Sequence, residues 1–113
     1  MTMTVEELIG KELFKVVAEG DDLSRQVTGI FCCDLLSVAM GRAPSDSAWV
    51  TVMGNVNTIA VATLADVACV VLAEGAQPDD MCRARAEQQG VTVLATEEPI
   101  FQAALKVHGL LHG

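Results

Sequence analysis

A continuous apolar run near the middle of the chain constrains the fold more than any other feature. It belongs to the stretch from Ala48 to Gly75, in which Trp49 to Met53 predicts a strand and Gly54-Asn55 breaks the pattern. Thr58 to Ala65 predicts a short apolar helix, and Val67 to Leu72 predicts a strand with no polar alternation. A strand of that kind is buried on both faces, so helices must cover both sides of it. The stretch therefore predicts a βαβ unit of a parallel sheet.

The rest of the chain adds further elements to this unit. Thr4 and Glu7 form a capping box that predicts a first helix, ended by Gly10. Leu13 to Ala18 predicts a strand, and its single charge, Lys15, places it at a sheet edge. Caps and periodicity also predict a helix from Pro78 to Gly90, a strand from Val91 to Ala95 and a last helix after Thr96. We therefore expect one α/β domain over residues 1–113, with a mixed, mostly parallel sheet and helices on both faces.

The segment before the central stretch contains a second strand-to-helix turn in this interpretation. Leu23 to Gly29 predicts a short strand that ends at Thr28-Gly29. The apolar residues from Phe31 to Met40 recur at helical spacing, with Gly41 placed to end the helix. Thr28-Gly29 would then lie between a strand and a helix, as Gly54-Asn55 does.

Two such turns on parallel strands would open on the same sheet edge and predict an anion site. Free backbone N–H groups and helix dipoles favour anions there, and Arg25 is the nearest cation. The residues predicted to bind a ligand are Arg25, Thr28, Gly29, Gly54, Asn55 and Asn57. The alternative is purely structural: Asn55 or Asn57 caps a helix, Gly54 and Thr28 serve turns, and Arg25 is a solvated strand-end residue.

Charge and hydropathy exclude some classes of partner. Seven Lys and Arg against fifteen Asp and Glu give a net charge of -8, which repels nucleic acids and anionic membranes. Asp66 and Glu74 interrupt the apolar runs, and no signal-peptide pattern opens the chain, so a cytoplasmic protein is expected. Because 51% of so short a chain is hydrophobic, we expect an apolar surface patch that is used in a homodimer.

No catalytic or cofactor-binding constellation is evident in the sequence. The four cysteines show no C-x-x-C or zinc-type spacing and are predicted to be reduced thiols. The adjacent pair Cys32-Cys33 is the strongest candidate among them for a redox role. Asp34 and Asp66 suit a helix start and a junction cap better than acid–base catalysis. His108 and His112 have metal-ligand spacing, but Gly109 is expected to break the helix between them. We therefore predict no catalytic residue, no metal site and no cofactor.

Several segments carry a resemblance to a known family. They are Arg25 to Gly29, Asp34 to Met40, Trp49 to Thr51, Asn57 to Ala62 and Ala65 to Ala68. In this order they resemble the DRTGG domain family over nearly the whole chain. Arg25, Thr28 and Gly29 match the motif, whereas Ser24 stands where an acid is common and Ile30 replaces a second glycine.

The resemblance implies an accessory regulatory domain, often dimer-forming, with catalysis located elsewhere. Similar domains occur in regulatory inorganic pyrophosphatases, and the amino-terminal domain of HPr kinase/phosphorylase resembles this family. The sequence contains no phosphate-binding loop of a kinase, so no kinase activity is implied. Two functions are left open: a sensor of a small anionic metabolite or adenine nucleotide, and a dimerisation or docking module for a metabolic enzyme with no ligand of its own.

Overall fold

The computed structural model describes residues 2–112. The strands are β1 (Met3–Thr4), β2 (Lys15–Ala18), β3 (Gln26–Val27), β4 (Gly29–Cys32), β5 (Ser47–Thr51), β6 (Cys69–Leu72) and β7 (Val93–Ala95). The helices are α1 (Val5–Gly10), α2 (Leu36–Arg42), α3 (Val56–Ala65), α4 (Asp80–Gln89) and α5 (Ile100–His112).

Five of the strands form one sheet in the order β2-β7-β6-β5-β4. The neighbours from β4 to β7 are parallel, and β2 lies antiparallel to β7 at one edge. The predicted parallel pairing of the strands at 49–53, 67–72 and 91–95 is therefore confirmed, with β6 inside the sheet. Two short strands, β1 and β3, form a separate antiparallel pair. This arrangement confirms the mixed, mostly parallel α/β fold.

Helices pack on both faces of the sheet, as the apolar run of β6 predicted. Val71 belongs to the core beneath α1 and α5, and its neighbour Val70 belongs to the core beneath α2, α3 and α4. Trp49 of β5 is fully buried in the second core, and its Nε1 donates a hydrogen bond to the carbonyl oxygen of Cys33 at 2.9 Å. Apolar burial on both faces thus fixes the sheet between two helical layers.

Several predicted helix ends are also confirmed. Thr4 and Glu7 form the reciprocal capping box of α1, and hydrogen bonding to Thr4 lowers the pKa of Glu7. The predicted start of α4 at Pro78 is two residues early, because Asp79 is the cap of α4 and accepts a hydrogen bond from the N–H of Cys82. The end of α4 at Gly90 is confirmed, with a φ of 69°. Gly90 is required there because the left-handed conformation is unfavourable for most side chains, and Asp21 packs directly against it.

The segment around Phe31 is the main correction to the sequence-based interpretation. Phe31 lies in β4, which pairs with β5, and α2 begins only at Leu36. The predicted helix from Phe31 to Met40 is therefore wrong over its first half, and α2 continues past Gly41 to Arg42. The apolar run from Ile30 to Cys32 is compatible with an edge strand as well as with a helix, and hydrogen-bonded pairing with β5 stabilises the strand.

Candidate functional site

The six residues predicted to bind a ligand lie at opposite edges of the sheet. Gly29 is the first residue of β4 and pairs with Ser47 at the start of β5, whereas Gly54 follows the end of β5. Because β4 and β5 are parallel, Thr28-Gly29 lies at the amino edge and Gly54 to Asn57 at the carboxyl edge. The prediction that both turns line one crevice is wrong. The contact of each residue with a ligand stays a prediction.

Arg25 is held at the amino edge by two carboxylates. Its Nη2 lies 2.8 Å from Asp46 Oδ1 and its Nη1 lies 2.9 Å from Asp66 Oδ1, and it also donates a hydrogen bond to the backbone oxygen of Asp66. Partial burial acts to lower the pKa of Arg25, but hydrogen bonds to Asp66 and Asp46 outweigh it, so this pKa is raised. The side chain is 24% exposed, so Arg25 is not a solvated strand-end residue.

The surroundings of Arg25 disfavour an anion. A cleft of about 240 Å³ at the amino edge is lined by Arg25 together with Asp21, Asp22 and Asp66. Three carboxylates against one guanidinium leave this cleft negative, and the guanidinium donors already have partners. Thr28 next to it donates its backbone N–H to the carbonyl oxygen of Asp46 at 2.9 Å. The ion pairs at this edge connect the three chain segments that contain Arg25, Asp46 and Asp66.

The turn from Gly54 to Asn57 begins α3 at the carboxyl edge. Asn55 is the cap, because its Oδ1 accepts hydrogen bonds from the N–H groups of Asn57 at 2.9 Å and Thr58 at 3.2 Å. Asn57 itself is exposed. The N–H groups of Gly54, Asn55 and Val56 donate to no other residue of the described range. Backbone donors are therefore available at this edge, as the sequence predicted.

An acidic residue, Asp34, lies at the carboxyl edge in the turn that follows β4. Asp34 precedes α2, and its Oδ1 accepts hydrogen bonds from Thr51 Oγ1 at 2.7 Å and from the N–H of Val52 at 3.0 Å. Its role is to tie the end of β4 to the end of β5, rather than to start the helix as the sequence suggested. Asp34 also adds negative charge beside the turn at Gly54.

A cleft at the carboxyl edge lies among the start of β2, the loop after β6 and the end of β7, and a lysine lines it. We call it the carboxyl-edge cleft. It measures about 380 Å³ and is lined by Leu13, Lys15, Ala76, Gln77, Ala95, Thr96 and Glu97. Lys15 pairs in register with Ala95, the last residue of β7, because β2 is antiparallel. Among residues 2–112, Lys15 takes part in no ion pair.

Backbone donors accompany Lys15 in this cleft. The N–H groups of Gln77 and Glu97 donate to no other residue that the structure describes. Gln77 also connects the cleft to Gly54, since a Cβ on Gly54 would lie 2.8 Å from the Gln77 carbonyl oxygen. Glycine is therefore needed where these two segments meet. The sequence pattern predicted Lys15 at an edge strand but not beside this cleft, because only the antiparallel pairing of β2 with β7 brings it to this edge.

The cysteine and histidine side chains do not assemble a reactive centre in the described part of the chain. All four thiols are free. Burial raises the pKa of Cys69 to about 12, and burial together with neighbouring acids also raises the pKa of Cys32 and Cys82. No group of three or more potential metal-ligating side chains occurs among residues 2–112. The prediction that Gly109 breaks the last helix is wrong, since α5 runs through it to His112.

These features define the class of protein: a small α/β domain with helices on both sheet faces and a cleft beside its carboxyl edge. The chain belongs to the DRTGG domain family, whose model matches residues 14–110. DRTGG domains are generally regulatory, nucleotide-sensing domains. A search of curated proteins returned no match. None of the helices described is long and apolar enough to cross a membrane.

Proposed function

We propose that this DRTGG domain is a non-catalytic regulatory domain that binds a small anionic metabolite, an adenine nucleotide among the candidates, in the carboxyl-edge cleft. The observation that carries the proposal is Lys15, a cation without an ion-pair partner among the described residues, beside the free N–H groups of Gln77 and Glu97. A chain with a net charge of -8 needs such a local cation to hold an anion.

The amino-edge cleft is less suited to an anion than the carboxyl-edge cleft. Arg25, the cation first predicted for the ligand, is already bound by Asp46 and Asp66. An anion there would have to displace a carboxylate and enter a cleft that Asp21 and Asp22 also line. At the carboxyl edge, Glu97 is the one carboxylate that lines the cleft with Lys15, and backbone donors offset it.

Regulation rather than catalysis is supported by the family to which the chain belongs. The proposal places the protein in the cytoplasm, since four free thiols are typical of a reducing compartment. Nucleic acid is not among the proposed ligands, because a polyanion would be repelled by the net charge of -8.

Thermal unfolding in the presence of ATP, AMP and inorganic phosphate tests the proposal. A ligand at about 100 times its dissociation constant stabilises by roughly 2.7 kcal/mol, which raises the Tm of so small a domain by roughly 10 °C. Lys15→Ala should weaken the binding about tenfold or more while leaving the Tm without ligand nearly unchanged, because it removes an exposed, charge-assisted contact.

Lys11→Ala is the matched control, since Lys11 is also exposed and carries the same charge outside the cleft. It should bind as the wild type does. Failure of all three compounds to stabilise the wild type contradicts the proposed function. Equal stabilisation of wild type and Lys15→Ala would show that the compound binds elsewhere.

A second candidate function is a dimerisation or docking module for a metabolic enzyme, with no ligand of its own. It is favoured by large apolar side chains that the structure leaves at least a third exposed. They are Val16, Leu35, Val38, Met40, Leu64, Met81, Phe101 and Leu105. This function predicts that none of the three phosphate compounds changes the Tm.

A further inference from the structure

We propose that the groove between α3 and α4 docks one amphipathic helix of another protein, which presents a carboxylate flanked by apolar side chains. We call this surface the α3–α4 groove. It has a volume of about 190 Å³ and is lined by Ala60, Thr63 and Leu64 of α3 and by Arg85 and Gln89 of α4. It shares no lining residue with the carboxyl-edge cleft, so docking there needs no ligand in that cleft.

The outer face of α3 lacks the charged residues that a solvent-facing helix usually carries. Its exposed residues are Asn57, Ala60, Thr63 and Leu64, and none of the ten residues of the helix is charged. Leu64 is 72% exposed, more than any other large apolar side chain in the described part of the chain. A helix without a charged face is normally buried, because nothing on it favours contact with water. The composition of α3 therefore indicates that a partner covers its outer face.

The side of α4 that borders the groove combines an apolar side chain with a positive charge. Met81 is 67% exposed and lies four residues before Arg85, so the two share one side of the helix. Across the groove, Ala60 and Leu64 have the same spacing on α3. Ala60 is small enough to let a further helix approach closely. Apolar points on both sides suit an amphipathic helix, whose apolar side chains recur every three or four residues.

Arg85 determines the charge that the partner must present. Among residues 2–112 it takes part in no ion pair, and no described residue that lines the groove has a carboxylate. The residues three and four positions away on α4 are also not acidic: they are Met81, Cys82, Gln88 and Gln89. A helix that covers the groove removes water from the guanidinium, which is unfavourable unless a carboxylate pairs with it. The partner helix therefore needs an Asp or Glu that faces Arg85.

The distribution of acids favours another protein over a second copy of this chain. The helices α2, α3 and α5 contain no Asp or Glu, and α1 has only six residues. Two copies that met symmetrically through the groove would bring both Arg85 side chains into one contact, where they repel each other. The net charge of -8 also disfavours a strongly acidic partner. The expected contact is therefore one carboxylate between apolar side chains, rather than an acidic run.

Selection from a displayed library of helical peptides, each with one randomised face, tests this docking surface. The library is selected for binding to the whole chain and counter-selected against Leu64→Glu, which removes peptides that bind elsewhere. Enriched peptides should carry an Asp or Glu with apolar residues one turn before and after it. Arg85→Ala should weaken their binding at least about tenfold. Arg83→Ala is the matched control, because Arg83 is exposed on α4 but does not line the groove, and it should bind them as the wild type does.

Charge reversal distinguishes a direct contact of Arg85 from a structural effect. A peptide in which Lys replaces the selected acid should bind Arg85→Glu more tightly than it binds the wild type. Lys15→Ala should bind the original peptides normally, which separates docking from ligand binding in the carboxyl-edge cleft. Circular dichroism should show every variant folded, because Leu64 and Arg85 are exposed. The proposal is overturned if no peptide is enriched, if the enriched peptides lack the acid, if both arginine variants lose binding equally, or if charge reversal restores nothing.

Discussion

Trp49→Ala should lower the free energy of unfolding by about 3–5 kcal/mol, a larger loss than any surface substitution should cause. Trp49 lies in β5, an inner strand of the sheet between β6 and β4, and has no exposed surface. Its removal leaves a cavity between the sheet and the helices on that face, and it leaves the Cys33 carbonyl oxygen without the indole donor. A loss of this size is a large fraction of the stability of a typical small domain.

Urea unfolding followed by far-ultraviolet circular dichroism measures this effect, since Trp49 is the single tryptophan and its fluorescence is lost in the variant. Trp49→Phe is the informative control. It keeps an aromatic ring in the core but cannot donate to Cys33, so it should lose less stability than Trp49→Ala. A loss below about 1 kcal/mol in Trp49→Ala would contradict the position of this side chain in the core.

Arg25→Ala should lower the free energy of unfolding by about 1–2 kcal/mol. The guanidinium of Arg25, before β3, forms ion pairs with Asp46 before β5 and with Asp66 before β6. Its removal therefore breaks the links among these three segments. The expected loss is smaller than that for a buried pair because the side chains of Asp46 and Asp66 are 44% and 67% exposed and can be solvated. Arg25 thus contributes more to stability than a solvated strand-end arginine would.

Arg85→Ala is the control for Arg25→Ala. Arg85 is an exposed arginine on α4 with no ion pair among the described residues, so its replacement should change the unfolding free energy by at most about 0.5 kcal/mol. Arg25→Lys should not restore full stability, because a single ammonium group cannot reproduce the fork that reaches both carboxylates. Equal stability of Arg25→Ala and wild type would show that the ion pairs are not formed in solution.

The central part of the fold was predictable because a strand buried on both faces has a continuous apolar sequence. The apolar run at Val67 to Leu72 placed β6 inside the sheet, and this is confirmed. Both ends of α1 and the end of α4 at Gly90 were predictable for a different reason, since capping depends on residues close in sequence, such as Thr4 with Glu7.

The short strand β4 was not predictable from local pattern. Its four residues fit one helical turn as well as a strand, and only the pairing of Phe31 with Trp49 distinguishes the two. The predicted strand from Leu23 to Gly29 is also wrong, since only Gln26–Val27 forms a strand, in the separate pair with β1, and Gly29 begins β4. Together these two errors placed Thr28-Gly29 at the carboxyl edge instead of the amino edge and predicted a shared crevice that does not exist. Lys15 shows the converse case, because its strand was predicted correctly but its proximity to Thr96 depends on an antiparallel pairing that local sequence does not specify.

Mapping of amide chemical shifts by NMR during an ATP titration tests the central claim, that the ligand site lies at the carboxyl edge and Arg25 has a structural role. The largest changes are expected at Lys15, Gln77 and Glu97, which line the carboxyl-edge cleft. The largest changes at Arg25, Thr28 and Gly29, on the opposite edge of the sheet, would contradict it.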